Sequence, residues 1–88
     1  MAHMLARLRG VKLGVIEELL NLDAPKHAEE GMYLEHLWQN VDDADEVLFL
    51  FRTNDLAHAR QFIERVHAQT RKQDPNASLP QMTFLAGT

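Results

Sequence analysis

Between Glu46 and Arg52 the chain reads EVLFLFR, apolar at every position from Val47 to Phe51. A strand with one wet face alternates apolar and polar residues. A run this short and uniform, ended by Thr53-Asn54-Asp55, therefore predicts a strand buried on both faces. Each face needs a cover. At 88 residues the chain is one domain, and a domain of this size buries only about 60 to 65% of the surface its unfolded chain exposes. Helices elsewhere in the chain suffice for one face, so the other points to a second subunit.

Composition narrows the partners. With 45% hydrophobic and 25% charged residues the chain lies in the ordinary globular range, which excludes wholesale disorder. Thirteen acidic against nine basic side chains give a formal charge of −4, the wrong sign for a polyanion-binding surface, so no nucleic acid partner is expected. There is no cysteine, which removes disulfides, thiolate catalysis and cysteine-containing zinc sites. No apolar stretch reaches the roughly 18 to 20 residues of a spanning helix, and the N-terminus lacks the order of a secretory signal. The expectation is a soluble, cytoplasmic protein without a membrane partner. Met1-Ala2-His3 is expected to be a cloning remnant ahead of a native start at Met4, within a single domain over 1–88.

Taken in order, Met4 to Arg9 fits a first strand, closed by Gly10. Val15, Ile16, Leu19, Leu20 and Leu22 then recur at helical spacing. Asp23-Ala24-Pro25 predicts a kink or break, since proline removes a backbone donor and crowds the preceding turn, and Asp23 suits a new N-cap. A short continuation to Glu30 ends at Gly31, a left-handed C-terminal residue. Met32 to Gln39 alternates Met32, Leu34, His36 and Trp38 against Tyr33, Glu35, Leu37 and Gln39, a second strand. The turn formers Asn40 to Asp45 connect it by a hairpin to the apolar run. Asn54 or Asp55 opens a second helix with a stripe of Leu56, Ala59, Phe62, Ile63, Val66 and Thr70. Lys72 to Leu79 reads as loop, and Met82 to Leu85, after Pro80, as a last short strand.

Strand, helix, strand, strand, helix, strand is the split βαβ order of an α+β, ferredoxin-like domain: a four-stranded antiparallel sheet with two helices on one face. The other face would be a contiguous oily patch, which association of two sheets would hide. From about Gly31 onward the chain resembles the dimeric α+β barrel proteins, which include antibiotic-biosynthesis-type monooxygenases, muconolactone isomerases and haem-degrading enzymes. Gly31 leading into HLWQN, the turn DDADEV, DLAHARQF and the closing PQMTFL carry the resemblance. It implies a homodimer joined through its sheets, and a cavity between sheet and helices. The haem-oxidising pattern of a first-strand asparagine, with a tryptophan and a histidine near the second helix, is not matched. The first strand has no asparagine, Trp38 is on the second strand, and only His67 corresponds loosely.

His36 and Trp38, two apart on one strand, share a face. If that face lines the cavity, His36 is a candidate catalytic acid or base and Trp38 a stacking wall for a flat ligand; the alternative is packing at a dimer contact or strand edge. Tyr33, Arg52 and His67 complete the candidate ligand-binding set, each with a structural alternative: a solvated strand end or pairing with Glu35 for Arg52, a boundary position for His67. The acidic cluster Asp42, Asp43, Asp45 and Glu46 lacks the glycine and spaced glutamate of a calcium loop, so no metal is expected there or at His27 and Glu30. No cofactor is expected. Three functions stay open: binding of a small molecule in the cavity, a cofactor-independent monooxygenase or isomerase-like enzyme, and a protein interaction module.

Overall fold

In the computed structural model, which describes residues 2–87, the elements are β1 (Ala2–Arg9), α1 (Leu13–Glu29), β2 (Met32–Asn40), β3 (Asp43–Thr53), α2 (Leu56–Gln73) and β4 (Gln81–Ala86). The strands form one antiparallel sheet in the order β2-β3-β1-β4. This is the ferredoxin-like arrangement expected from the element order. Ala2 and His3 belong to β1, where His3 pairs with Arg52 of β3 and Leu85 of β4; Met1 lies outside the described residues. Among the described residues no helix is long and apolar enough to cross a membrane.

One core lies between the sheet and the helices. Met4, Ala6 and Leu8 from β1, and Val47, Phe49 and Phe51 from β3, meet Ile16 and Leu20 of α1 and Ala59, Phe62 and Ile63 of α2. Their strand positions follow period two and their helix positions recur at three and four residues, so each element gives its apolar face to the same interior. β3 thus meets half of its expectation within one chain. Its odd-numbered residues from Val47 to Thr53 are buried on the helix side, while Leu48 and Leu50, on the opposite, open face, are half-buried.

α1 differs from its sequence pattern in two ways. It runs unbroken through Pro25, and Asp23 lies inside it rather than capping a second segment. Both Pro25 and Asn21, whose carbonyl loses its helical partner to the proline ring, are exposed. Water can satisfy that group, so the proline interrupts a hydrogen bond without ending the helix. Of the five apolar residues expected to form its stripe, only Ile16 and Leu20 are buried; Val15, Leu19 and Leu22 point away from the sheet. A helix lying on a sheet covers one arc of its circumference, and five residues in this spacing span more than that arc.

Helix ends are fixed as the residues suggest. Gly31 has φ +73° and its N–H donates to the Ala28 carbonyl at 3.0 Å, while its own carbonyl accepts from Asn54 N–H at 3.3 Å. A Cβ at Gly31 would meet nothing within 4 Å. Gly31→Ala therefore isolates the cost of a left-handed backbone, and is expected to lower unfolding free energy by about 1 kcal/mol in a urea titration. An unchanged midpoint would contradict this assignment. At α2, Asp55 accepts from the His58 N–H at 3.1 Å, and the Thr53 hydroxyl brackets Asp55 from the buried end of β3.

Candidate functional site

A cavity of about 180 Å³ remains between sheet and helices. Its walls are Phe49, Phe51 and Met82 from the sheet, Leu20 from α1, and Ile63 and Val66 from α2. The Phe49 and Phe51 rings meet edge to face, 5.8 Å between centroids. Three polar side chains share the lining: Asp23 and His27 of α1 and His67 of α2. A larger cleft of about 410 Å³ adjoins it between α1 and β2, sharing Leu20, His27, Met32 and Phe51 and bordered by Leu34 and Tyr33. His27 stands where the two meet, its ring edge-on to Phe51 at 5.1 Å.

Both cavity histidines lose basicity on folding. Burial pushes His27 below its ordinary value; Asp23 opposes this and Lys26 adds to it. Burial also lowers His67, assisted by the nearby positive charge of Arg71. At neutral pH each ring is thus uncharged and has a lone pair to offer, which suits it to accept a hydrogen bond or a proton from a bound molecule. A phenol or another weak acid placed against the aromatic wall would meet such an acceptor.

The sequence candidates divide between two sides of the sheet. Only His67 lines the inner cavity, and Tyr33 borders the adjoining cleft. His36 and Trp38 do share a face, their rings stacked at 4.9 Å and 15°. That face is the open one, because His36 pairs with Leu50 and Trp38 with Leu48. A register shift between Leu34 and His36 is the cause: the β-bulge at Glu35 changes the phase of the strand. Met32, Leu34 and Leu37 consequently pair with Thr53, Phe51 and Phe49 on the helix side, whereas strict alternation had put Leu37 opposite Met32 and Leu34. His36, Trp38 and Arg52 are therefore not cavity residues. Arg52 lies over the Tyr33 ring at 4.7 Å and approaches Glu35 at 3.7 Å, and Glu35 is joined to His3 at 2.8 Å.

Sequence reasoning weighed His27 only as a metal ligand with Glu30 and Asp23 only as a helix cap, and placed neither in a cavity. A signal for His27 was present: it follows Leu20 by seven residues and Ile16 by eleven, within about 20° of both around a helix. The break expected at Pro25 concealed it.

At the other end of the open face, Glu46 is only 3% exposed. Its Oε2 accepts from Nε of Arg7 at 2.9 Å and of Arg9 at 2.7 Å, and its Oε1 from Asn40 at 2.9 Å. Hydrogen bonding by Arg9, then Arg7 and Asn40, holds the carboxyl at a pKa of about 2 against an ordinary 4.5, with burial opposing. Its folded pKa is depressed, so its stabilisation is complete above the ordinary value and is lost as pH falls from 4.5 toward 2. Urea midpoints should drop across that window in the wild type and drop less in Glu46→Gln. The half-buried His27 and His67 act earlier, their cost of protonation growing as pH falls below about 6.5. Parallel pH profiles of the two proteins below pH 4.5 would contradict the role of Glu46.

No protein-family model and no curated protein matches the chain. Among solved structures, a proposed antibiotic biosynthesis monooxygenase from Deinococcus radiodurans is similar over 100% of this chain and 93% of its own, with 14% identity and a TM-score of 0.66. An uncharacterised NIPSNAP domain protein from Burkholderia xenovorans is similar over 100% of this chain and 95% of its own, with 18% identity and a TM-score of 0.59. At these identities the likeness is one of fold. It agrees with the ferredoxin-like architecture expected from the order of elements and transfers no site residue.

Proposed function

We propose that the chain forms a homodimer by bringing two open sheet faces together, and that each protomer binds a small, mainly apolar molecule between its sheet and helices. The cavity is the observation that carries the binding reading. A protein cavity of about 150 Å³ with an apolar lining accommodates benzene, so about 180 Å³ suits a single ring, with a polar substituent against His27 or His67 and room for a short extension into the adjoining cleft. A protein interaction module needs no such space, so the cavity favours the binding reading over it. For the dimer, support comes from Leu5, Leu48 and Leu50 lying together on the open face beside Trp38, which is 45% exposed. A patch of this kind is uncommon on monomers.

The monooxygenase-like or isomerase-like reading keeps a specific motive in the two uncharged histidines beside Asp23. In it, His27 or His67 takes a proton from the bound molecule, the role first assigned to His36. The named Deinococcus neighbour gives the same direction without fixing a reaction for this chain.

Titration with 4-methylphenol, followed by calorimetry, tests the cavity. The wild type should bind saturably. Val66→Phe, which places a ring inside the cavity, should weaken binding by roughly tenfold or more, about 1.4 kcal/mol, while circular dichroism shows an intact fold. Equal affinity in the two proteins, or no saturable heat, would contradict the site.

A further inference from the structure

We propose that the end of the open sheet face carrying Arg7 and Arg9 binds a small organic carboxylate. Two adjoining grooves meet there. One, of about 410 Å³, has Leu5 and Leu48 on its floor with Thr83, Asn40 and Glu46 around it; the other, of about 220 Å³, is bounded by Arg9, Ser78 and Leu79. Arg7 and Gln81 border both.

The hydrogen bonding of Glu46 leaves these arginines equipped for an outside anion. Each guanidinium reaches the Glu46 carboxylate through Nε alone, and among the described residues neither has a hydrogen bond from its outer nitrogens to another side chain. Glu46 itself accepts from three donors. One buried carboxylate thus fixes two arginines, two residues apart on a rigid strand, while their forked outer edges stay accessible, Arg7 with 44% and Arg9 with 69% of the side chain exposed. The cluster carries one net positive charge, the match for a monoanion. Of the other nearby acids, Asp45 pairs with Lys12; Asp43 accepts from the Asp45 N–H but keeps its charge, which acts on Arg9 and offsets part of the attraction for an anion.

Ligand shape follows from the surroundings. A carboxylate can accept from the two outer nitrogens of a guanidinium whose Nε–H is already engaged, and Ser78, Gln81 and Thr83 supply further hydrogen-bonding groups. The Leu5–Leu48 floor would take an apolar body, which a bare phosphate does not have. This inference needs only the fold; in the proposed dimer the partner sheet would roof the Leu5–Leu48 half.

The test is an NMR titration of the full chain with hexanoate, with inorganic phosphate as comparison. Hexanoate should move the Arg7 and Arg9 Nε–H signals and the Leu48 and Thr83 amides saturably, and Arg9→Gln should weaken that response by roughly tenfold, the worth of a charge-assisted contact. Arg9 is the more exposed of the two, and its replacement removes one of the three donors to Glu46 but no apolar core residue. Absence of saturable shifts in the wild type, shifts unaffected by Arg9→Gln, or equal saturation by phosphate would overturn the proposal. The readout is residue-resolved: lost shifts in an intact dimer overturn this site alone, whereas surviving shifts in a monomer support it and count against the dimer.

Discussion

Leu50→Asp is expected to convert the proposed homodimer into a monomer at micromolar concentration, read as a halving of mass by light scattering. Leu50 sits in the middle of the open face, opposite Leu5 on β1 and His36 on β2. In an isolated protomer it is half-buried, so a carboxylate there can reach water and the fold should persist. Between two packed sheets it could not. A two-fold interface places the new charge at both copies of the site, and an unpaired buried charge costs on the order of 3 kcal/mol or more. Dissociation constants should rise by roughly a thousandfold at least. A variant that stays dimeric would show that the open face is not the contact.

Phe51→Ala should have the largest effect on folding. The ring is 4% exposed, edge-on to both Phe49 and His27, and forms a wall of the cavity. Removing a buried phenylalanine costs about 3 to 5 kcal/mol, and a domain of this length has roughly 4 to 13 kcal/mol in all. The space beside Phe51 is already empty, so neighbours have little to collapse onto. The variant should unfold at markedly lower urea, with most chains unfolded at 37 °C if the wild type lies near the lower bound. A loss below 1 kcal/mol would mean that the interior rearranges around the ring.

Much of the architecture was legible because it rests on period and punctuation. The apolar run of β3, the stripe of α2 and the left-handed Gly31 each act locally, and each emerged where the residues placed it. What local pattern could not contain was a relation between strands. The bulge at Glu35 depends on how β2 pairs with β3, and it decides that His36 and Trp38 face away from the helices. The continuity of α1 through Pro25 likewise depends on solvent access at Asn21. These two effects moved the candidate site: His36, Trp38 and Arg52 left the cavity, while Asp23 and His27 entered it beside His67.

Native mass spectrometry of the purified wild-type chain at micromolar concentration tests the central claim most directly, because it weighs the assembly and anything bound within it. The proposed homodimer gives a species at twice the mass of the chain, with up to one small molecule retained per protomer. A species at the mass of a single chain, with nothing heavier, would contradict it.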